Sequence, residues 1–166
     1  VPACKNPTLH VTTPGSIYCG FDVDGGSFYC PSSQECCLGG SLGTAEFAPD
    51  ECSAFGSVCT NPVGTSIPIE CSQISDCTAN GVSGAVCCLQ GVSAAPSIVA
   101  GCSYYKEYGG SAVTCESPDG GAIDAGGGTP SCATGEVQIC QQDADCPIGK
   151  TCIPMAWKVF DIGFCQ

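Results

Sequence analysis

The chain has 166 residues, with 18 cysteines, 16 acids, four lysines and no arginine, for a net charge of −12. So few cations argue against a nucleic-acid partner, because phosphate backbones require cationic clusters. The cysteine content exceeds the roughly 8–10% that marks disulfide scaffolds, and an even count permits complete pairing.

Metal is the other use of many cysteines, and spacing speaks against it. No two cysteines stand in a C-x-x-C or C-x-C relation, the close turns that aim two sulfurs at one zinc. The single histidine, His10, adds little as a ligand. Disulfides place the protein in an oxidising compartment, so it is expected to be secreted or surface-exposed. A first residue of Val1 rather than Met fits a removed signal peptide. No stretch approaches the roughly 18 apolar residues of a membrane span. Sparse charge leaves few ions to desolvate on contact and so suits self-association or binding to other extracellular proteins.

Taken in chain order, residues 1–18 form an N-terminal arm carrying Cys4. Module one, 19–60, contains Cys19, Cys30, the doublet Cys36-Cys37, Cys52 and Cys59. "FDVDGGSFYC" (21–30) predicts a hairpin around Asp24-Gly25-Gly26. A short helical turn is expected near Pro49–Phe55. Module two, 61–116, opens on a stiff join, "NPVGTSIPIE" (61–70), and runs Cys71, Cys77, Cys87-Cys88, Cys102, Cys115. "GAVCCLQ" and "PSIVAGC" read as strands, and "YYKEYGGSAVTC" predicts a second hairpin around Gly109-Gly110. A Gly/Asp/Pro-rich linker spans 117–131. Module three, 132–166, holds Cys132, Cys140, Cys146, Cys152 and Cys165, with Ile153 where the second member of a doublet should stand. "WKVFDIGFC" (157–165) reads as one strand. It sets Phe160, Ile162 and Phe164 on one face and Trp157 and Val159 on the other, and so is a candidate interface. The fold class is therefore small, disulfide-rich and mainly β: three tandem modules of short hairpins, the third degenerate, with little helix.

The degenerate module suggests a pairing. It lacks the second doublet cysteine and the last cysteine together, as one deleted bridge would leave, which predicts Cys37–Cys59 and Cys88–Cys115. The remaining four per module can pair three ways; the pairing favoured, first-to-third with second-to-fourth, gives Cys19–Cys36, Cys30–Cys52, Cys71–Cys87, Cys77–Cys102, Cys140–Cys152 and Cys146–Cys165. Cys4 and Cys132 remain, to join each other or another chain. Neighbouring residues on a strand face opposite ways, so each doublet should staple two layers.

Catalytic signals are weak. "GGSLG" (39–43) matches a nucleophile elbow but lacks its strand–helix setting, and Ser41 would depend on His10. "GKT" (149–151) lacks the upstream glycine of a phosphate loop and reads as a turn. No catalytic residue and no cofactor are expected. Calcium is the one ion the acids could take, at Asp22 with Asp24, at Asp50 with Glu51 and at Asp143 with Asp145, although solvated turns are the commoner reading of such clusters. Asp76 and Asp145 each precede the second cysteine of a module, where a carboxylate can accept backbone N–H bonds and close a turn.

"CQQDADCPIGKTC" (140–152) with the later "GFC" resembles Cys-rich repeats of secreted and surface proteins of the myxobacterial type, and "PDGGAIDAGGGTPSC" resembles their linkers. That likeness implies an exported bacterial protein and no particular activity. "CPSSQECC" (30–37) and the rhythm of Cys140, Cys146 and Cys152 are similar to whey-acidic-protein inhibitor modules, whose closely spaced terminal cysteines are missing here. The expectation is an extracellular structural or assembly subunit, such as a filament, sheath or matrix component, without catalytic activity. The alternative is a binding module or peptidase inhibitor presenting a rigid loop, such as "GVSAAPSIV" (91–99) or "PMAWK" (154–158).

Overall fold

The computed structural model describes residues 9, 12–21, 24, 26–38, 51–57, 59, 67–92, 109–117, 131–157 and 160–166. These residues form β1 (Ile17–Phe21), β2 (Ser27–Cys30), β3 (Gln34–Leu38), β4 (Glu51–Ala54) and β5 (Ile67–Ile69). There follow α1 (Ile74–Ala79), β6 (Val86–Val92), β7 (Gly109–Glu116), β8 (Val137–Cys140), β9 (Cys152–Trp157) and β10 (Phe160–Cys165). A single turn of 3-10 helix occupies Asp143–Asp145. The molecule is a small, mainly β, disulfide-rich protein, with one short α-helix among the described residues.

β1 and β2 pair as a separate hairpin around the expected turn, with Phe21 opposite Ser27 and the Tyr18 and Tyr29 rings meeting edge-on at 5.4 Å. The other eight strands form one sheet in the order β4-β3-β5-β7-β6-β8-β10-β9. That order repeats a unit. Each module contributes the strand carrying its doublet cysteine (β3, β6, β9) and, beside it, the strand carrying its fourth cysteine (β4, β7, β10). Modules two and three add a strand leading into their first cysteine (β5, β8), and each of these pairs with the doublet strand of the preceding module. The join expected at 61–70 is thus strand in its last part: Ile67–Ile69 is wedged between β3 and β7. β5 meets β7 in parallel at the single position Ile69↔Val113, where Glu70 N donates to Val113 O at 2.8 Å. Pro68 has no N–H to extend that ladder.

The core runs without a break through strands of all three modules. Ile17, Leu38, Ile69, Leu89, Val113, Ile139 and Phe164 are buried in one cluster with six bridged cysteines, against which Cys52 and Cys115 pack partly buried. Small modules bury too little apolar surface alone, and here they share an interior.

Several sequence expectations change. Residues 51–54 are strand β4, not a helical turn, because they pair with β3; residues 39–50 lie outside the described residues. Gly109 and Gly110 open β7 instead of forming a hairpin turn, with Gly109 opposite Val92. "WKVFDIGFC" is not one strand: Trp157 ends β9, Phe160 begins β10, and the two are cross-strand partners. The helix α1 was not legible as a period. Its six residues are held by reciprocal capping, the Gln73 side chain accepting from the Asp76 amide and the Asp76 carboxylate from the Gln73 amide.

Candidate functional site: stapled joints and buried carboxylates

The disulfides follow one scheme three times. In each module the first doublet-position cysteine lies directly opposite the fourth: Cys36↔Cys52, Cys87↔Cys115 and Cys152↔Cys165. Instead of bridging each other, these pairs reach outward. First joins third in Cys19–Cys36, Cys71–Cys87 and Cys140–Cys152. Second joins fourth in Cys30–Cys52, Cys77–Cys115 and Cys146–Cys165. The second doublet cysteine makes the remaining bridge, Cys37–Cys59 and Cys88–Cys132.

Three expected pairings fail together. Cys88–Cys115 and Cys77–Cys102 are replaced because β7 pairs with β6 in a register that sets Cys115, not Cys102, opposite Cys87. Cys115 is therefore the counterpart of Cys52. Cys132, expected with Cys4, is the counterpart of Cys59 and is bonded to Cys88. Cys4 and Cys102 lie outside the described residues. Cys59 and Cys132 each precede the first strand of the next module, so these two bridges fasten the joints between modules. Reading Cys132 as part of module three hid this.

The buried carboxylates act on the backbone. Asp76, fully buried, accepts from Ser72 N at 2.7 Å, Ser72 Oγ at 2.9 Å, Gln73 N at 3.2 Å and Gly15 N at 2.9 Å. Asp145 repeats the arrangement, accepting from Gln141 N at 2.9 Å and Gln142 N at 3.1 Å. The shared spelling is Cys-x-Gln-x-x-Asp-Cys at 71–77 and 140–146, and its glutamines were the unread part of the signal. Around these turns the modules meet. Gln141 Nε2 donates to Thr12 Oγ1 at 2.9 Å and to Ser72 Oγ at 2.6 Å, while Thr12 N donates to Gln141 Oε1 at 3.1 Å. Gln73 Nε2 reaches Thr12 O at 3.3 Å. At the other end of α1, Ser33 N donates to Asn80 Oδ1 at 2.8 Å.

Gly15 is required at this meeting point. Its φ of +85° is left-handed, and a Cβ there would stand 3.0 Å from Ser32 Cβ and 3.1 Å from Ala79 Cβ.

Of the calcium candidates, Asp145 is turned into its own loop and Asp143 Oδ1 accepts from Cys152 N at 2.8 Å. Asp24 is an exposed turn residue, and Asp22 lies outside the described residues. The close sulfur clusters, such as Cys19, Cys30 and Cys36, are disulfide sulfurs and carry no thiolate for a metal.

Glu35, in the middle of β3, is fully buried. Its Oε2 accepts from Gly56 N at 2.8 Å. Burial raises its pKa above the usual carboxylate value, the Gly56 N–H lowers it in part, and the charge of Glu70 raises it further. Glu70 itself accepts from Cys115 N at 3.0 Å.

Ser41, His10, Val159 and most of 91–99 lie outside the described residues, as do the side chains of Trp157 and Phe160. Phe164 is only 1% exposed and belongs to the core, so it offers no contact surface, and Ile162 packs partly against the same cluster. The "GKT" segment is a turn: Lys150 N donates to Pro147 O at 3.0 Å, and Gly149 supplies the positive φ of 85°. Beside β8 lies an open concavity of about 490 Å³, lined by Cys132, Glu136, Gln138, Pro147, Lys150 and Gln166. Its side chains bring together one ammonium, one carboxylate, the Ser131 hydroxyl and two amides. Among those residues, no helix is long and apolar enough to cross a membrane. No family model, no curated protein and no solved structure matches the chain.

Proposed function

We propose that the chain is an exported, non-catalytic structural protein: a rigid building block of an extracellular filament, sheath or surface matrix. The observation that carries this reading is the placement of the joint bridges. Cys37–Cys59 and Cys88–Cys132 run from a doublet strand to the segment ahead of the next module, so no joint between modules is left to hydrogen bonds alone. A bridge of this kind contributes ~2–4 kcal/mol, and eight of them among the described residues fasten the eight-stranded sheet and tie the β1–β2 hairpin to it. Such a body resists bending and local opening, which a load-bearing unit needs and a ligand-gated one does not. The oxidising compartment that disulfides require supports export. The likeness of the third module to secreted myxobacterial-type repeats supports the same reading.

Assembly is assigned to contact between weakly charged surfaces. Negative-stain electron microscopy with sedimentation of the oxidised protein tests this. Ordered polymers or concentration-dependent oligomers are expected. A strictly monomeric species at millimolar concentration, or stoichiometric inhibition of a peptidase, would replace this reading with that of a binding module.

A further inference from the structure

Within the sheet, a doublet strand offers its outer edge to the strand that leads into the next module. On β3, Cys36 faces Ile69 and Leu38 faces Ile67. On β6, Cys88 faces Gln138 and Leu89 faces Val137. β9 is the third strand of this kind, and among the described residues its outer edge pairs with no strand. An open edge of unpaired N–H and C=O groups is a template for any further strand.

The edge of β9 is blunted residue by residue. Thr151 and Gln166 exchange two hydrogen bonds, Thr151 N to Gln166 O at 2.8 Å and Gln166 N to Thr151 O at 2.9 Å. In an antiparallel pair this exchange recurs at every second residue, so Cys152, Pro154 and Ala156 turn their backbone groups away from β10. The Cys152 amide is already taken, donating to Asp143 Oδ1 at 2.8 Å. The next amide does not exist, because residue 154 is proline, as befits an edge position whose N–H side faces outward.

Only this module carries both devices: module one has Asp22, outside the described residues, at the place of Asp143, but Leu38 at the place of Pro154. Counting from the first cysteine, Asp143 occupies the place of Ile74, which carries no acceptor. Counting from the doublet, Pro154 occupies the place of Leu38 and Leu89, the residues that face the incoming strand in the first two modules. Ile153 removes the cysteine that would staple such a strand. Two departures, Ile153 and Pro154, thus fall on positions that build a joint, and Asp143 covers the outward amide of Cys152 beside them.

We propose that the third module is the closing cap of the sheet, with Asp143 and Pro154 excluding from β9 both a further module and the strand edge of a second copy. This stands apart from the structural role proposed above, and it directs any assembly to other surfaces. Repeat arrays require such polar caps to end their stacking.

Amide hydrogen exchange and sedimentation of the full oxidised chain test the cap. Asp143→Ala should speed exchange at Cys152 about tenfold, as loss of one protecting hydrogen bond implies. Asp143→Asn, which keeps an acceptor, should leave that exchange near wild type. Asp143→Ala combined with Pro154→Thr exposes consecutive outward donors and should give a concentration-dependent dimer in which the Ala156 amide becomes protected. The cap is refuted if Cys152 exchange is unchanged in Asp143→Ala, or if the Ala156 amide of the wild type is already protected as concentration rises. A folded double variant that sediments as wild type would also refute it.

Discussion

Replacing Asp76 by alanine removes the acceptor for three backbone amides, those of Gly15, Ser72 and Gln73, at 2.9, 2.7 and 3.2 Å. The carboxylate is fully buried, and a buried donor left without a partner costs about 1–3 kcal/mol. Ser72 is half-buried, so water recovers part of its loss, and the expected destabilisation is about 3–5 kcal/mol. Asp145→Ala strands only two amides and should cost about half as much, roughly 2 kcal/mol. The difference between the two variants matters because Asp76 alone reaches across to the N-terminal arm through Gly15. Urea unfolding with the disulfides intact measures both, read from the midpoint at constant slope. If Asp76→Ala lay within about 1 kcal/mol of wild type, or if Asp145→Ala were the worse of the two, the carboxylates would not be the closures of these turns.

Two further substitutions probe the strand register and the buried acid. Gly163 lies opposite Cys140 where β10 crosses β8, and a Cβ there would strike the Cys140 carbonyl oxygen and approach Cys152 Sγ to 2.6 Å. Gly163→Ala should therefore destabilise the chain by about 2–4 kcal/mol, visible as a lower melting temperature; an unchanged one would contradict the close crossing. Glu35 has a pKa raised in the folded state, chiefly by burial and secondarily by Glu70. Between the unfolded value near 4.5 and the raised folded one, the folded state holds the proton more tightly, so stability falls as pH rises through that window. Glu35→Gln should flatten this fall, gaining on wild type as pH climbs from 4.5 to 7 in denaturant titrations; a gain in the opposite direction would show the carboxylate to be stabilised when ionised.

Much of the architecture was legible because cysteine spacing carries long-range information that propensity does not. Aligning the modules left three pairings open for four cysteines in each, and the one taken holds for the first-to-third bridges and for the second-to-fourth bridges of modules one and three. Module two misled for a definable reason. Its "CSYYKEYGGSAVTC" opens on the same Cys-Ser as "CSAFGSVC", at 13 residues from the doublet against 14 in module one, so Cys102 took the place of Cys52. Local likeness does not set a partner; strand register does, and the register of β6 with β7 brings up Cys115. The same displacement hid Cys132 as the joint cysteine. Asp76 and Asp145 were readable as turn closures from their shared position before a cysteine. Gln73 left a trace that went unread, its repeat as Gln142 two residues after a first cysteine, whereas the contacts of Gln141 and Thr12 between modules leave none. The β9–β10 turn was missed because Trp157 to Phe164 is apolar enough to read as one strand, with no glycine or asparagine between Trp157 and Phe160 to mark the reversal.

The account rests on a thrice-repeated bridging scheme in which strand register, not sequence proximity, selects the partner. Non-reducing proteolysis with mass spectrometry of the oxidised protein measures this directly. Peptides linking Cys77 to Cys115 and Cys88 to Cys132, alongside Cys30–Cys52 and Cys146–Cys165, are predicted. Recovery of Cys88 joined to Cys115, or of free thiol at any of these positions, would contradict it.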